Sequence, residues 1–455
     1  MRRFIMVTAA AAAVATLGAL SPAAAGAASH ALRVGSGAPA RAGQAASGDR
    51  LWFRRYNGPA NRWDHASSVA VSRDGTRVFV TGISQDGKPG TNNFATVAYS
   101  AATGRQLWVS RYNGPHGNAF SAGPVVVSRT RVFVTGTSPS PKTGYDYATV
   151  AYTAATGRQL WVRRYNGPPN AGLGAYSMAV VNAAGTAVFV TGGETVAYGA
   201  ATGRRLWASP GGSNAVAVNH RGTAVFVHAG GTVTAYDAAT GRQLWTYRDP
   251  PGATGEPGPS VAVNPAGTTV FVTGTSDPQG VAPDYETAAY SASTGTQLWA
   301  SYYTVPGDSF DRGLSVAVNP AGTAVFVTGI RQFFGQNGLA GNYATLGYDA
   351  ATGRQLWVRG YAATKYRQDV FVPPSLAVSP NGTTVYFTGS NGGYRTLAYG
   401  AATGSTLWAR HYSPGIGTDS ASSIAVSPRG TAVFVTGTST GRTRFGDYGT
   451  IAYRS

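Results

Sequence analysis

The chain spells much of itself several times over, so residues that break the repetition stand out. Five residues before the first large apolar residue of a recurring V-A-V run stand Asp64, Glu256, Asp311 and Asp419. Equivalent positions elsewhere hold Phe120, Leu173, Gly211 and Phe371, with Asp369 close to the last. Carboxylates converging from such positions could coordinate a hard cation or accept hydrogen bonds from sugar hydroxyls, each shifting the others' pKa values. The plainer reading is that each caps a loop by accepting nearby backbone N–H groups. Trp63 is the one Trp outside a Leu-Trp pair, and it directly precedes Asp64 and His65. Phe310 and Arg312 flank Asp311, and His116 lies in a corresponding connector. Trp63, Asp64, His65, His116, Glu256, Asp311, Arg312 and Asp419 thus form a candidate ligand-binding rim. It suits glycan stacking with polar contacts, or the base and charge neutraliser of a polysaccharide lyase or lactonase. A lone loop histidine, however, is ordinarily just solvated.

Two other chemical signals fail on context. GTSTG (437–441) matches a nucleophile-elbow pattern at Ser439, but TGTS recurs at Ser138 and Ser276 and is the start of a repeated loop. GLGAYS (172–177) lacks the following helix that a phosphate loop needs. No metal site is assigned.

The elements that must position the rim follow from four signatures in fixed order. An alternating apolar run comes first, as in SSVAVS (67–72) and SSIAVS (422–427). A G-T-x-V-F-V-T-G run is centred on Phe79, Phe133, Phe189, Phe226, Phe271, Phe326, Tyr386 and Phe434. An A-T-x-A-Y run ends at Tyr99, Tyr152, Tyr198, Tyr236, Tyr290, Tyr348, Tyr399 and Tyr453. A Leu-Trp run closes the unit. Each run is short, of period two and rich in Val, Phe, Tyr and Thr, which predicts strands. D-G-T, A-G-T and A-T-G-R connectors supply the Gly that tight turns require. Each unit is therefore a four-stranded antiparallel meander, and units in series predict an all-β, eight-bladed β-propeller. The C-terminal GDYGTIAYRS stops where the next Leu-Trp strand should begin, and GDRLWFRRYNGP (48–59) has no preceding strands of its own. The strand around Trp52 is expected to complete the last blade and close the ring, protecting its edges. Loops between second and third strands are uneven. The longest, IRQFFGQNGLAG (330–341), offers Phe333 and Phe334 either as an exposed partner contact or as a plug over the channel.

The phrase AYDAATGRQLW (235–245), nearly repeated as YDAATGRQLW (348–357), resembles the tryptophan-docking repeat of PQQ-like, or quinoprotein alcohol dehydrogenase-like, eight-bladed propellers. The resemblance covers about residues 48–455. It implies that Trp52, Trp108, Trp161, Trp207, Trp245, Trp299, Trp357 and Trp408 pack between neighbouring blades. That family includes quinone-dependent dehydrogenases and cofactor-free members, among them scaffold lipoproteins of outer-membrane assembly. Many dehydrogenase members stack pyrroloquinoline quinone on a disulfide of adjacent cysteines and hold Ca²⁺ with Glu, Asn and Asp motifs. This chain has no cysteine and shows no such motif, so fold membership does not carry the activity.

Bulk properties narrow the class. MRRFIMVTAAAAAVATLGALSPAAAGA (1–27) reads as a secretory signal peptide cleaved near Ala25–Ala27, and residues 28–48 as a flexible Ala/Gly/Ser-rich leader to a single propeller over 49–455. No later stretch approaches the roughly 18 apolar residues of a membrane span. Absence of cysteine excludes disulfides, thiolate metal sites and a lipobox. The net charge of +18, or +16 without Arg2 and Arg3, is almost all Arg and is spread without a basic run. A solvated surface explains it better than a polyanion site, and an exported protein rarely meets nucleic acid. The favoured reading is a secreted, monomeric binding or scaffold module for a glycan, cell-wall polymer or protein, with no cofactor. Alternatives are a carbohydrate-active or lactone-cleaving enzyme using the rim, and a quinone- and Ca²⁺-dependent alcohol or sugar dehydrogenase.

Overall fold

Short period-two runs separated by Gly turns leave the chain one way to bury its apolar faces, which is to stack small sheets against one another. A computed structural model describes residues 46–455 except 88–90, 116–118, 120, 141–143, 167–177, 213–214, 230, 249–259, 277–283, 305–309, 336–337, 363–372, 415–418 and 441–444. The described strands form eight four-stranded antiparallel sheets, an eight-bladed β-propeller. Blade 1 runs Asp64–Val71, Arg77–Gln85, Asn92–Ser100 and Gln106–Tyr112, and blades 2 to 7 repeat this order. Blade 8 takes Ser420–Val426, Ala432–Thr440 and Gly446–Arg454 from the C-terminal end, with Arg50–Tyr56 as its outermost strand. Phe53 pairs with Ile451 and Tyr56 with Tyr448, so the ring closes as the sequence predicts. First strands of neighbouring blades touch all the way round, from blade 1 to blade 8 and back to blade 1.

The core lies between blades. Each apolar cluster takes one face from each of two neighbours, as where Val80, Val97 and Tyr99 of blade 1 meet Phe434, Ala452 and Trp52 of blade 8. One end of each seam is locked by the Leu-Trp phrase. Trp52, Trp108, Trp161, Trp207, Trp245, Trp299 and Trp357 each donate Nε1–H to an Ala carbonyl of the following blade's A-T-G turn, at 2.8–3.2 Å. The turn's Gly lies flat against the same indole. Gly157 has φ +72°, and a Cβ there would fall 2.6 Å from Trp108, so both its handedness and its bareness are needed. At blade 8 this turn is split between the two chain ends. Gly48, with φ +84°, sits against Trp408, and its N–H donates to Arg454 O at 2.8 Å. The phrase there is A46-S-G-D-R-L-W52.

Many arginines are committed to the same seams. Arg54 donates to the carbonyls of Thr103 and Gly104, Arg163 to those of Thr202 and Gly203, and Arg359 to those of Thr403 and Gly404. Where the residue is Ser instead, its hydroxyl reaches the same Gly carbonyl, as Ser110 does to Gly157. Part of the positive charge thus serves as carbonyl clamps along the blade seams.

The run expected as a long loop at 330–341 is mostly strand. Ala324–Gly335 and Gly338–Asp349 stay paired out to Gly335–Gly338, placing Phe333 opposite Ala340 and Phe334 opposite Leu339. Aromatic and aliphatic residues ending at a Gly-flanked tip favour continued pairing over a free loop.

Candidate functional site

Starts of first and third strands and ends of second and fourth strands share one end of every blade, which forms the rim face. The acidic residues seen in the sequence lie here, but as part of the sheets. Asp64 opens the first strand of blade 1, Asp311 is the second residue of Phe310–Val318, and Asp419 directly precedes Ser420. Register shifts at Ala66/Ser68, Gly313/Ser315 and Ala421/Ser423 let pairing run past the V-A-V segment to these positions. The side chains are buried, with Asp64 at 0%, Asp311 at 2% and Asp419 at 4% exposure.

Each is one member of a cross-strand row. In blade 1, Asp64 stands opposite Ser84, and Ser84 opposite Asn93. Arg111, opposite Ala95, shares that face and donates to Ser84 Oγ at 2.9 Å. Blade 8 repeats the row with Asp419, Ser439, Asp447 and Arg55, Arg55 donating to Ser439 Oγ at 3.0 Å. Blade 2 has Ser138, Asp146 and Arg164, whose guanidinium meets the Asp146 carboxylate at 2.8 Å. In blade 6 the strand-four position is Gly360, and Arg331 replaces Ser on strand two, between Asp311 and Asn342.

These rows lock the seam at the end opposite the indoles. Gly58 N–H, just past the outermost strand of blade 8, donates to Asp64 Oδ2 at 2.6 Å, whereas Thr440 N–H donates to Asp419 Oδ1 at 2.8 Å within blade 8 itself. Arg111 also donates to Tyr56 OH of blade 8 at 2.8 Å, and Arg55 to Tyr412 OH of blade 7 at 3.4 Å. A second tyrosine, on the third strand, donates to the next blade's backbone: Tyr448 to Ala95 O, Tyr285 to Ala344 O and Tyr394 to Gly449 O, at 3.1–3.2 Å. Sequence reasoning missed Ser84, Asn93, Asp146, Asp447, Arg55, Arg111, Arg164 and these tyrosines. Two recurring signals could have found most of them: D/N followed by Y or F and then x-T at the head of the third strand, and R-Y-N-G-P just after the Leu-Trp pair.

Burial dominates the electrostatics. It raises the Asp64 carboxyl above its ordinary value, against the lowering pull of Gly58 N–H, Ser84 and Arg111. Burial likewise raises Asp419, opposed by Thr440 and Arg55. Asp447 is pushed up to about 6, mainly by burial and further by the charge of Asp64, while Arg55 pulls the other way. His65 is buried and lowered to about 4 by desolvation, so it is neutral near pH 7. Its Nδ1 bonds to Thr438 Oγ1 of blade 8, and Trp63 stacks on its ring at 5.6 Å and 7°.

Trp63, Asp64 and His65 are therefore brought together at the blade 8–blade 1 seam, beside Asp447 and one blade from Asp419. Asp311 and Arg312 stand on blade 6, with two blades between. His116 and Glu256 lie outside the described residues, as do the expected signal peptide (1–27) and most of the leader. Phe333 and Phe334 lie on the extended hairpin of blade 6. His65 is buried and Arg312 stands on another blade, so these two do not pair as the accessible base and charge neutraliser of a lyase or lactonase. The donor set does not fit a Ca²⁺-bound quinone either. Among the described residues no three His, Asp or Glu side chains group as metal ligands, and Asp64 and Asp419 are turned to backbone N–H groups.

A closed ring of eight such blades, locked at one end by Leu-Trp turns, defines a PQQ-like β-propeller. A family model described as outer membrane protein assembly factor BamB matches residues 38–219 and 192–443, and the chain belongs to that family. It is similar to the crystal structure of BamB from Moraxella catarrhalis, at 13% identity and a TM-score of 0.50, covering 90% of this chain and 99% of that one. It is also similar to quinohemoprotein alcohol dehydrogenase ADHIIG from Pseudomonas putida HK5, at 14% identity and a TM-score of 0.54, covering 89% and 76%. At such identities the likeness carries the fold alone. A comparison with curated proteins gave no match.

Proposed function

We propose that this chain is an exported propeller that binds rather than transforms its partner, acting as a recognition or scaffold module in the cell envelope or outside it. The carrying observation is how Trp63 is held. One face of the indole is fixed on a buried, neutral imidazole, while the residue as a whole stays only half-buried on the rim. Rigid aromatic anchors on a non-yielding frame are what recognition surfaces use. Of the buried carboxylates around it, Asp64 and Asp419 each hold a backbone N–H with one oxygen. The signal-like N-terminus supports export, and membership of a family described as an assembly factor supports a scaffold role. No helix among the described residues is long and apolar enough to cross a membrane.

The test is co-sedimentation and calorimetry of the mature protein with purified cell-wall polymers, soluble glycans and envelope proteins, with chain length of each glycan followed in parallel. Saturable binding without new reducing or unsaturated ends is expected. Turnover of a polymer, or no saturable binding to any of these, overturns the reading.

A further inference from the structure

We propose that the end of the ring opposite the rim is a docking face for an anionic lipid bilayer, seated by an arc of exposed arginines across blades 8, 1, 2, 3 and 4. This surface lies on the other side of the disc from Trp63 and does not rest on the binding reading above.

At that end strand one turns into strand two beside the channel, and strand three into strand four near the perimeter. Arginines that look scattered along the chain recur at equivalent places in these turns, so the fold gathers them. Arg129, Arg221 and Arg429 stand exposed on the inner turns of blades 2, 4 and 8. Arg105, Arg158 and Arg204 stand exposed on the A-T-G-R turns of blades 1, 2 and 3. None of these turns contains a carboxylate. Among the described residues the face does hold Asp49, Asp74, Asp237 and Asp349, but each has an arginine of its own. Arg410 meets Asp49 at 3.6 Å, and the charges of Arg77, Arg242 and Arg354 act on Asp74, Asp237 and Asp349. The acids of the interlocking rows, from Asp64 to Asp447, all lie at the other end. An excess of positive charge therefore belongs to one face and to one arc of it.

These arginines share one continuous surface. Added Cβ atoms at Gly185 and Gly75 would lie 3.0 Å from Ser128 and 3.6 Å from Pro428, so inner turns of adjacent blades touch. Arg73 of blade 1 donates to Ala183 O of blade 3, over the shorter inner turn of blade 2. Connectors from strand three to strand four have the same length in blades 1 to 7, which keeps these turns at one height, whereas the rim's connectors are uneven. A level array of cations matches a planar sheet of phosphates better than a single polymer strand, which needs a groove to follow. Apolar contact favours a bilayer as well. In all eight blades a bulge beside the turn skips the Leu of the Leu-Trp pair. The skipped Leu51, Leu206, Leu244, Leu298, Leu356 and Leu407 are left 37–55% exposed at the edge of this face. Leucine beside arginine is the composition of interfacial surfaces. The chain also enters the fold here. Ala46–Asp49 take the place of the A-T-G-R turn in blade 8, so the apolar run at 1–27 is joined to the propeller on this side.

The experiment sediments the mature protein with vesicles of phosphatidylcholine alone and with phosphatidylglycerol mixed in, at low and high salt, with polyphosphate as a soluble polyanion for comparison. Wild type should bind the phosphatidylglycerol vesicles and leave the neutral ones, and affinity should fall as salt rises. An arginine beside an anionic bilayer is worth about fivefold in affinity. Arg221→Gln should therefore cost about fivefold, and Arg129→Gln, Arg221→Gln and Arg429→Gln together on the order of a hundredfold. Arg62→Gln, exposed on the rim, should leave vesicle binding unchanged, and these arginine variants should melt with wild type. Leu206→Ser with Leu244→Ser should weaken vesicle binding a few-fold and leave polyphosphate binding unchanged. Equal binding to both kinds of vesicle, or vesicle binding that survives the triple arginine change, overturns the docking face. Polyphosphate bound more tightly than the vesicles, with the leucine pair without effect, overturns the bilayer as its occupant. Loss of glycan or protein binding on Trp63→Ala with vesicle binding intact supports two separate faces, and its retention on vesicle-binding failure leaves the binding propeller while rejecting this surface.

Discussion

Asp447 gives the sharpest handle on the rim face, because it is a buried acid facing another buried acid across a blade seam. Its carboxyl titrates near 6 in the fold, against 3.8 for a free aspartate. A raised folded pKa means the group contributes stability below the unfolded value, and that contribution is lost as pH rises from about 4 through about 6. Two pKa units are worth nearly 3 kcal/mol at about 1.36 kcal/mol each. Solvent screening at the rim reduces this to about 1–2 kcal/mol. Asp447→Asn should therefore be more stable than wild type at pH 7.5 by that amount, with the gain shrinking to nothing near pH 4. With an unfolding entropy of about 2.1 cal/mol/K per residue over roughly 400 residues, the gain is about 1–2 °C in melting temperature. The assay is tryptophan-fluorescence melting of both proteins across pH 4–8, read as the difference curve. The difference matters because Asp64 and Asp419 drift in the same direction as Asp447, while His65, lowered to about 4, drifts in the opposite one. A flat difference curve, or one rising toward acid, would refute the reasoning.

Three further outcomes test the seams. Arg164→Met should cost about 1–3 kcal/mol in urea unfolding by taking the guanidinium away from the buried Asp146 carboxylate, and adding Asp146→Asn should recover a large part of it; no recovery would deny the coupling. Gly157→Ala should destabilise by more than about 1 kcal/mol, because the position needs positive φ and abuts Trp108. Gly360→Ala, with nothing near its would-be Cβ, should stay within about 0.5 kcal/mol, and equal costs would undo the docking argument. A mature chain lacking residues 46–56 should expose the edge of Gly446–Arg454, melt earlier and self-associate by light scattering; an unchanged melt would mean closure contributes little.

What could be read from the sequence and what could not divide along a physical line. Strand periodicity, turn glycines and the eight indoles are local signals, and the ring followed from counting them. The rim acids were also visible, because each breaks the repetition at one register. Their role was hidden because the strand was taken to start at V-A-V, which left Asp64 and Asp419 in a loop facing the channel. A bulge at Ala66/Ser68 or Ala421/Ser423 carries pairing further, and a one-residue shift of that kind decides which way a side chain points. The partners sit three strands away, in phrases that look like filler: Arg55, Arg111 and Arg164 before Y-N-G-P, and Asp or Asn before Y-x-T. Blade 6 shows that these belong together. Where its strand four loses the arginine at Gly360, strand two supplies Arg331 in place of serine, across from Asp311. A ligand site would fix where the positive charge must stand. A structural interlock needs only that it stay beside the acid, and the shift from one strand to another is what an interlock permits. That argument gives the carboxylates a structural role and leaves Trp63, which no other blade repeats, as the feature the interlock does not explain.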